Sequence, residues 1–170
     1  MTSLDILEYP DPRLRLPSNP VAAFDRDLAR LVDDMERTLA ARKALALSAP
    51  QVNDHRAVLL VDPSGDGSTP QVYVNPRILS KGAWGLVQES CLSLPGVVGT
   101  VWRATELRVR AQDREGRAFE RNLAGLEAVC LQHEMDHLVG TLFVDRLSFF
   151  QRMRFHAFAG KRARRRHRAA

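Results

Sequence analysis

The feature that constrains this chain most is the run His133-Glu134-Met135-Asp136-His137. In a helix, residues four positions apart lie on one face, so both imidazoles can approach a single metal ion with Glu134 beside it. The run therefore predicts two metal ligands and an acid–base group within little more than one helical turn. The alternative interpretation is two ordinary helix histidines around an exposed glutamate.

The helix that carries this run is predicted to extend from Leu126 to Leu138 and to end at Gly140. Its apolar positions Val129 and Cys130 continue the face on which the histidines lie. An apolar stripe of the helix therefore leads directly into the two histidines.

A third ligand is expected because catalytic metal sites usually use three protein ligands and keep one position for water. The chain has two cysteines. Cys91 lies in a polar, turn-bounded stretch from Gln88 to Gly96, where a side chain can point into a cleft, whereas Cys130 lies on the apolar helical stripe. We expect Cys91 to bind the metal, Cys130 to form part of a pocket wall, and no disulfide between them.

The remaining patterns predict an α+β fold: antiparallel or mixed sheets around the central HExxH helix, with an N-terminal amphipathic helix and a C-terminal helix. Residues 24–39 have apolar positions at helical spacing, and a last helix is predicted from near Ser148. Residues 57–61 and 71–74 are predicted strands separated by a loop, and residues 107–111 are predicted to form an antiparallel hairpin with 118–121.

Length and composition fit one domain, since 170 residues with 45% hydrophobic content can build a core. We expect a catalytic domain over residues 1–160 and a basic tail over residues 161–170. No apolar run suits a membrane span or a secretory signal, so a soluble, cytoplasmic protein is expected. The tail would attract polyanions such as ribosomal RNA, although a solvated, frayed terminus fits it equally well.

Three segments together resemble the signature motifs of peptide deformylases: residues 44–52 (ALALSAPQV), residues 89–93 (ESCLS) and residues 132–137 (QHEMDH). The similarity runs from Tyr9 to Phe143. It implies the peptide deformylase fold and a hydrolase that removes the formyl group from the N-terminal formylmethionine of newly made polypeptides, releasing formate. It also implies one divalent metal ion per chain, with Fe²⁺ the usual ion in the cell and Zn²⁺ or Ni²⁺ as alternatives.

The resemblance also implies roles for individual residues. Glu134 would move the proton, while the Gln51 side-chain amide and the Leu92 backbone N–H would stabilise the developing oxyanion. Glu89 would support the site by charged hydrogen bonds, with Arg103 as a candidate partner. The expected substrate-binding positions, which ordinary core packing would also explain, are Leu45, Ala46, Val87, Glu89, Leu126, Val129 and Cys130.

The chain departs from the family pattern at four positions. Ala44 and Ala46 replace two glycines, Ser90 replaces a third, and Val98 stands where many relatives carry arginine. Glycine often allows a ligand to approach the backbone closely, so these changes bear on substrate choice. They keep open a relative that acts on a different N-formyl or N-acyl substrate. The basic tail keeps open a second alternative, a noncatalytic ribosome- or RNA-binding protein on the same scaffold.

Overall fold

The computed structural model describes residues 3–155 and residue 157. A C-terminal helical segment covers residues 149–155 and residue 157. The basic tail lies outside the described residues. No helix in the described part is long and apolar enough to cross a membrane. The helices and strands, in chain order, are α1 Arg26–Arg42, β1 Ala46–Ser48, β2 Val58–Val61, β3 Gln71–Lys81, β4 Trp84–Ser90, β5 Val98–Ala104, β6 Glu106–Gln112, β7 Ala118–Ala124 and α2 Gly125–Leu138.

An antiparallel five-stranded sheet in the order β1-β2-β3-β6-β7 separates the two long helices. Strand β2 is buried on both faces because successive side chains point to opposite sides. Val58 and Leu60 belong to the apolar cluster of α1, and Leu59 and Val61 belong to the cluster of α2. The sheet therefore holds α2 in the interior of the molecule.

The hairpin of β6 and β7 has the alternation predicted from the sequence. Leu107, Val109 and Ala111 are buried toward α2, whereas Arg108 and Arg110 are exposed. The predicted α+β fold with its N-terminal, central and C-terminal helices is confirmed. The patterns missed β1, β4 and β5, and predicted only the beginning of β3.

A separate two-stranded sheet, formed by β4 and β5, packs against the C-terminal half of α2. The Gln132 side chain of α2 joins helix and strand, since its Nε2 donates to the Ala104 carbonyl at 2.7 Å and its Oε1 accepts from the Ala104 N–H at 3.2 Å. A third apolar cluster, which includes Leu14, Val101 and Phe143, lies under this sheet. Both sheets thus fix the position of α2.

The end of α2 is set by Gly140, whose φ of 69° is unfavourable for other residues. A Cβ at this position would lie 2.3 Å from the Arg15 carbonyl oxygen. The N–H of Gly140 donates to the His137 carbonyl at 3.0 Å. The chain can therefore turn sharply just after the second histidine.

Candidate metal centre

Helix α2 places His133 and His137 on one face, with ring centroids 5.2 Å apart. Both side chains are buried, because α2 lies between the two sheets and most of its residues are enclosed. Cys91 approaches them from the turn that directly follows β4. Its Sγ lies 3.3 Å from His137 Nε2.

The three predicted metal donors meet at one point. One ligand atom from each of Cys91, His133 and His137 can be chosen so that all three lie within 4.8 Å of one another. Sulfur and nitrogen bound to one tetrahedral ion would be roughly 3.5 Å apart, close to the observed separation of Cys91 Sγ and His137 Nε2. The donor set therefore fits a single divalent ion. Cys91 and Cys130 are both free thiols, as expected.

The orientation of His133 is fixed by Glu89. His133 Nδ1 lies 2.8 Å from Glu89 Oε2, which leaves Nε2 to face the other donors. Arg103 binds the same carboxylate through Nε, 2.6 Å from Oε1, and through Nη2, 3.0 Å from Oε2. Burial opposes ionisation of Glu89, but the hydrogen bonds from His133 and Arg103 outweigh it and lower its pKa to about 2. Glu89 is thus an anion held in place.

Asp136 extends this network, although no sequence pattern singled it out. It accepts from Arg103 Nη1 at 2.7 Å and from the Arg146 guanidinium. Arg103 is 3% exposed and lies between the carboxylates of Glu89 and Asp136. Its partners are 14 and 33 residues away in the chain, so only tertiary structure reveals the network.

Glu134 lies in the cleft beside the three donors. Burial raises the pKa of its carboxyl above the usual range, although His133 and a hydrogen bond with Ser48 oppose the shift. Its Oε2 has no hydrogen-bond partner among the described protein groups. A buried carboxylate with one unpaired oxygen and a raised pKa suits proton transfer.

Gln51 is held with its amide nitrogen directed at Cys91. Its Oε1 accepts from the backbone N–H of Ser48 at 2.9 Å and from the Ser48 hydroxyl at 3.0 Å. This leaves Nε2 pointing the other way, 3.6 Å from Cys91 Sγ and 3.3 Å from Ser93 Oγ. Leu92, which follows Cys91, also lines the cleft. Both expected oxyanion donors are therefore beside the candidate metal ligands.

The cleft that opens over these groups has a volume of about 590 Å³, within the range of small-molecule sites. Burial raises the pKa of the Cys130 thiol to about 12, so this cysteine stays protonated and is a poor metal ligand. The expected substrate-binding residues found in the cleft wall are Leu45, Ala46, Glu89, Leu126, Val129 and Cys130. The four departures from the family pattern, Ala44, Ala46, Ser90 and Val98, also lie there.

Two further expected substrate-binding residues lie on the inner face of β4. Val87 packs against the third apolar cluster on this face, which it shares with the buried Glu89, and its contact with the substrate stays a prediction. Glu89 borders the cleft, and its carboxylate is engaged by Arg103 and His133. These are the charged hydrogen bonds by which Glu89 was expected to support the site.

Sequence comparison finds one family over nearly the whole described chain. The model of the polypeptide deformylase family matches residues 3–153. The peptide deformylase of Hahella chejuensis is 46% identical over 155 residues, which are 91% of this chain and 92% of that protein. The peptide deformylase of Alkalilimnicola ehrlichii is 48% identical over 155 residues, 91% of this chain and 87% of the relative.

Solved structures agree with the sequence matches. A peptide deformylase from Legionella pneumophila superposes with a TM-score of 0.90 at 41% identity, covering 98% of this chain and 99% of that one. A peptide deformylase from Synechococcus elongatus in complex with actinonin superposes with a TM-score of 0.82 at 37% identity, covering 86% and 81%.

Proposed function

The chain belongs to the polypeptide deformylase family, and we propose that its Cys91, His133 and His137 hold the metal ion with which it removes formyl groups from N-terminal formylmethionine. Membership makes the protein a metal-binding hydrolase, a peptide deformylase, as the resemblance implied. The observation that carries the assignment of residues is the meeting of these three donors beside Glu134 in one cleft.

A divalent ion at this site would lower the pKa of a water molecule and polarise the formyl carbonyl. Glu134 takes the proton that the attacking water loses and delivers it to the amine nitrogen as the C–N bond breaks. The products are formate and a free N-terminus. Support for this role comes from the unpaired Oε2 of Glu134 and from its burial.

Gln51 and Leu92 supply the donors for the negative charge that develops on the formyl oxygen. Ser48 holds Gln51 Oε1, so Nε2 stays oriented without reorganisation during the reaction. The Leu92 backbone N–H belongs to the same turn as Cys91, which supports its proposed role as the second donor to the formyl oxygen.

The methionine side chain of the substrate fits the apolar part of the cleft. Leu126, Val129 and Cys130 of α2 and Leu45 of the segment before β1 form this part. Burying a methionine side chain contributes roughly 1.5–3 kcal/mol, which favours it over a small or charged side chain. Ala46 and Ser90 add side-chain atoms at the rim, so they tune the entry of the substrate backbone.

The ion is proposed to be Fe²⁺ in the cell. One thiolate and two imidazoles suit several divalent ions, among them Zn²⁺ and Ni²⁺, so support for iron rests on the family resemblance. Metal analysis of anaerobically purified protein, followed by activity after exchange with each ion, tests this proposal. Higher turnover with Zn²⁺ than with Fe²⁺ at full occupancy would contradict it.

The proposed partners are nascent formylated chains in the cytoplasm, with the ribosome as docking site for residues 161–170. The arginines of this segment would release counterions from RNA, so binding should weaken steeply with salt. Co-sedimentation with ribosomes at two salt concentrations, for the wild-type chain and a chain with these arginines replaced by glutamine, tests the tail. Equal sedimentation of the two chains would exclude a role for it.

Formate release from formyl-Met-Ala-Ser by anaerobically purified, iron-loaded protein tests the function directly. Glu134→Ala should lower kcat by about 10²- to 10⁴-fold, the usual contribution of acid–base catalysis. Glu127→Ala is the matched control, because Glu127 lies on the same helix but its carboxylate pairs with Arg121 at 3.2 Å. Activity of Glu134→Ala within tenfold of the wild type would contradict the proposed mechanism.

Because the four departures from the family pattern lie in the cleft wall, the range of substrates that the protein accepts needs its own test. Comparing formyl-Met peptides with acetyl-Met peptides and formylated non-methionine peptides would answer it. A preference for another acyl amine would favour a relative with a changed substrate.

A further inference from the structure

The two-stranded sheet of β4 and β5 has an exposed apolar face. Trp84, Leu86 and Trp102 are 55%, 61% and 61% exposed, and Leu86 lies directly opposite Trp102 in the ladder. These large side chains expose an apolar area on the order of a few hundred Å², a size that is often functional on monomeric proteins. Packing within the domain does not explain why these apolar side chains share one exposed face.

The same face is continuous with the active-site cleft. Side chains alternate along a strand, so Gln88 and Ser90 point to the same side as Trp84 and Leu86. Gln88, Ser90 and Val98 line the cleft, and Ser90 lies opposite Val98. We define the hairpin face as Trp84, Leu86, Gln88, Ser90, Val98, Thr100 and Trp102. It begins at the cleft and ends at the two tryptophans.

We propose that the hairpin face binds the part of the polypeptide substrate that follows the formylated residue, and that it favours apolar side chains there. This inference rests on the proposed function, in which the substrate is a long chain with only its first residue at the metal site. The rest of that chain must leave the cleft over the protein surface. The hairpin face adjoins the cleft, and its exposed apolar side chains can contact the substrate chain as it leaves.

The length of the path sets which substrate residues it contacts. At about 3.3 Å per residue, Leu86 lies about 13 Å and Trp84 about 20 Å beyond Ser90. An extended peptide advances by a similar amount per residue, so a substrate whose second or third residue passes Ser90 places roughly its sixth to ninth residues on Leu86, Trp102 and Trp84.

The chemistry of the face favours a peptide over a nucleic acid. All of its seven side chains are uncharged. Lys81 lies at the outer end of the face, with its Nζ 5.5 Å from the centre of the Trp84 ring. A polyanion would need several cations along the path. An apolar peptide segment can bind by packing against the exposed tryptophan rings and Leu86.

Intrinsic fluorescence reports on this face directly, because Trp84 and Trp102 are the two tryptophans of the chain. Metal-loaded Glu134→Ala protein is titrated with formyl-Met-Ala-Ser-Lys-Ser-Leu-Val-Leu-Lys, with the same peptide carrying Ser-Gly-Ser in place of Leu-Val-Leu, and with formyl-Met-Ala-Ser. We expect a saturable blue shift with the apolar peptide alone, and its loss when excess tripeptide occupies the cleft.

Three results of this titration would overturn the proposal. One is an equal shift with both long peptides, and another is no shift with either. The third is a shift that persists under excess tripeptide, which would mean binding unconnected to the cleft. A shift that depends on protein concentration without any peptide would assign the face to a second copy of the chain, and would overturn the proposal as well.

Kinetics provide the second measurement. For the wild type we expect a higher kcat/KM with the apolar peptide than with its Ser-Gly-Ser counterpart. Trp102→Thr should reduce this ratio about fivefold to tenfold, mainly through KM, because it removes apolar contact area. Threonine suits an exposed strand position, so the fold should tolerate it. Leu79→Thr is the matched control, since Leu79 is 45% exposed on β3, a strand of the other sheet.

Different results would overturn the hairpin-face proposal and the proposed function. A wild-type ratio near one would overturn the hairpin-face proposal while leaving deformylation intact. No formate release from any formyl-Met peptide would overturn the proposed function, and the fluorescence titration, which needs no turnover, would still decide whether peptides bind the hairpin face.

Discussion

Replacing Arg103 by methionine tests whether the buried ion network holds the site together. Arg103 is 3% exposed and donates to both oxygens of Glu89 and to Asp136. Methionine fills much of the same volume without charge or hydrogen-bond donors. The substitution therefore leaves two enclosed carboxylates without their shared cation.

The expected cost is about 3–5 kcal/mol of unfolding free energy, the usual effect of removing one partner from a buried ion pair. Asp136 retains Arg146, and Glu89 retains only His133. Most of the cost should therefore arise at Glu89. Because Glu89 orients His133, affinity for the metal should also fall, by about 10- to 100-fold.

Chemical denaturation of the metal-free protein, followed by circular dichroism, measures the first effect, and competition with a chelator measures the second. Arg108→Met is the control, since Arg108 is an exposed arginine that pairs with Glu120 at 2.8 Å. It should cost less than about 1 kcal/mol. If Arg103→Met costs no more than Arg108→Met and binds the metal as tightly as the wild type, the network does not support the site.

Three further predictions concern single groups. Gln51→Leu should lower kcat by about 10²- to 10³-fold at unchanged metal content, measured as formate release, because it removes the side-chain donor to the oxyanion. Cys91→Ser should lose bound metal by elemental analysis, whereas Cys130→Ser, which changes a protonated thiol in the cleft wall, should retain it. Burial raises the pKa of Tyr73 from 10.0 to about 12, so the folded state holds this proton more tightly. The stability from the neutral phenol is complete below pH 10 and is lost as the pH rises to about 12, by about 2 kcal/mol. Denaturation of Tyr73→Phe should not show this loss, and parallel pH curves for the two proteins would contradict the prediction.

The elements with regular periodicity were predictable from the sequence. Helix α1 and the β6–β7 hairpin bury one face and expose the other, so their apolar residues recur at the expected spacing. Strands β4 and β5 do not follow this rule. Glu89 and Arg103 are buried on their inner face, and Leu86 and Trp102 are exposed on their outer face. Local hydrophobicity therefore gives the wrong orientation for this sheet.

The candidate ligands were predictable because helical spacing alone relates His133 to His137, and turn chemistry sets Cys91 apart from Cys130. The supporting groups were not. Gln132 and Asp136 are ordinary polar residues in the sequence, and their roles depend on Ala104, Arg103 and a contact between a helix and a separate sheet. Spacing in the chain carries no signal for such pairs.

The polar groups along α2 differ in whether they have a hydrogen-bond partner, and this difference indicates which of them take part in the chemistry. This helix is buried on most sides, and an unpaired buried polar group costs about 1–3 kcal/mol. Gln132 and Asp136 satisfy this requirement through partners on other elements. Within the described helix, Glu134 Oε2 and His137 Nδ1 lack a protein partner. The unpaired Oε2 of Glu134 fits a group that exchanges a proton during the proposed reaction. Metal binding through His137 Nε2 would not pair Nδ1, but its free energy would offset the cost of leaving Nδ1 unpaired.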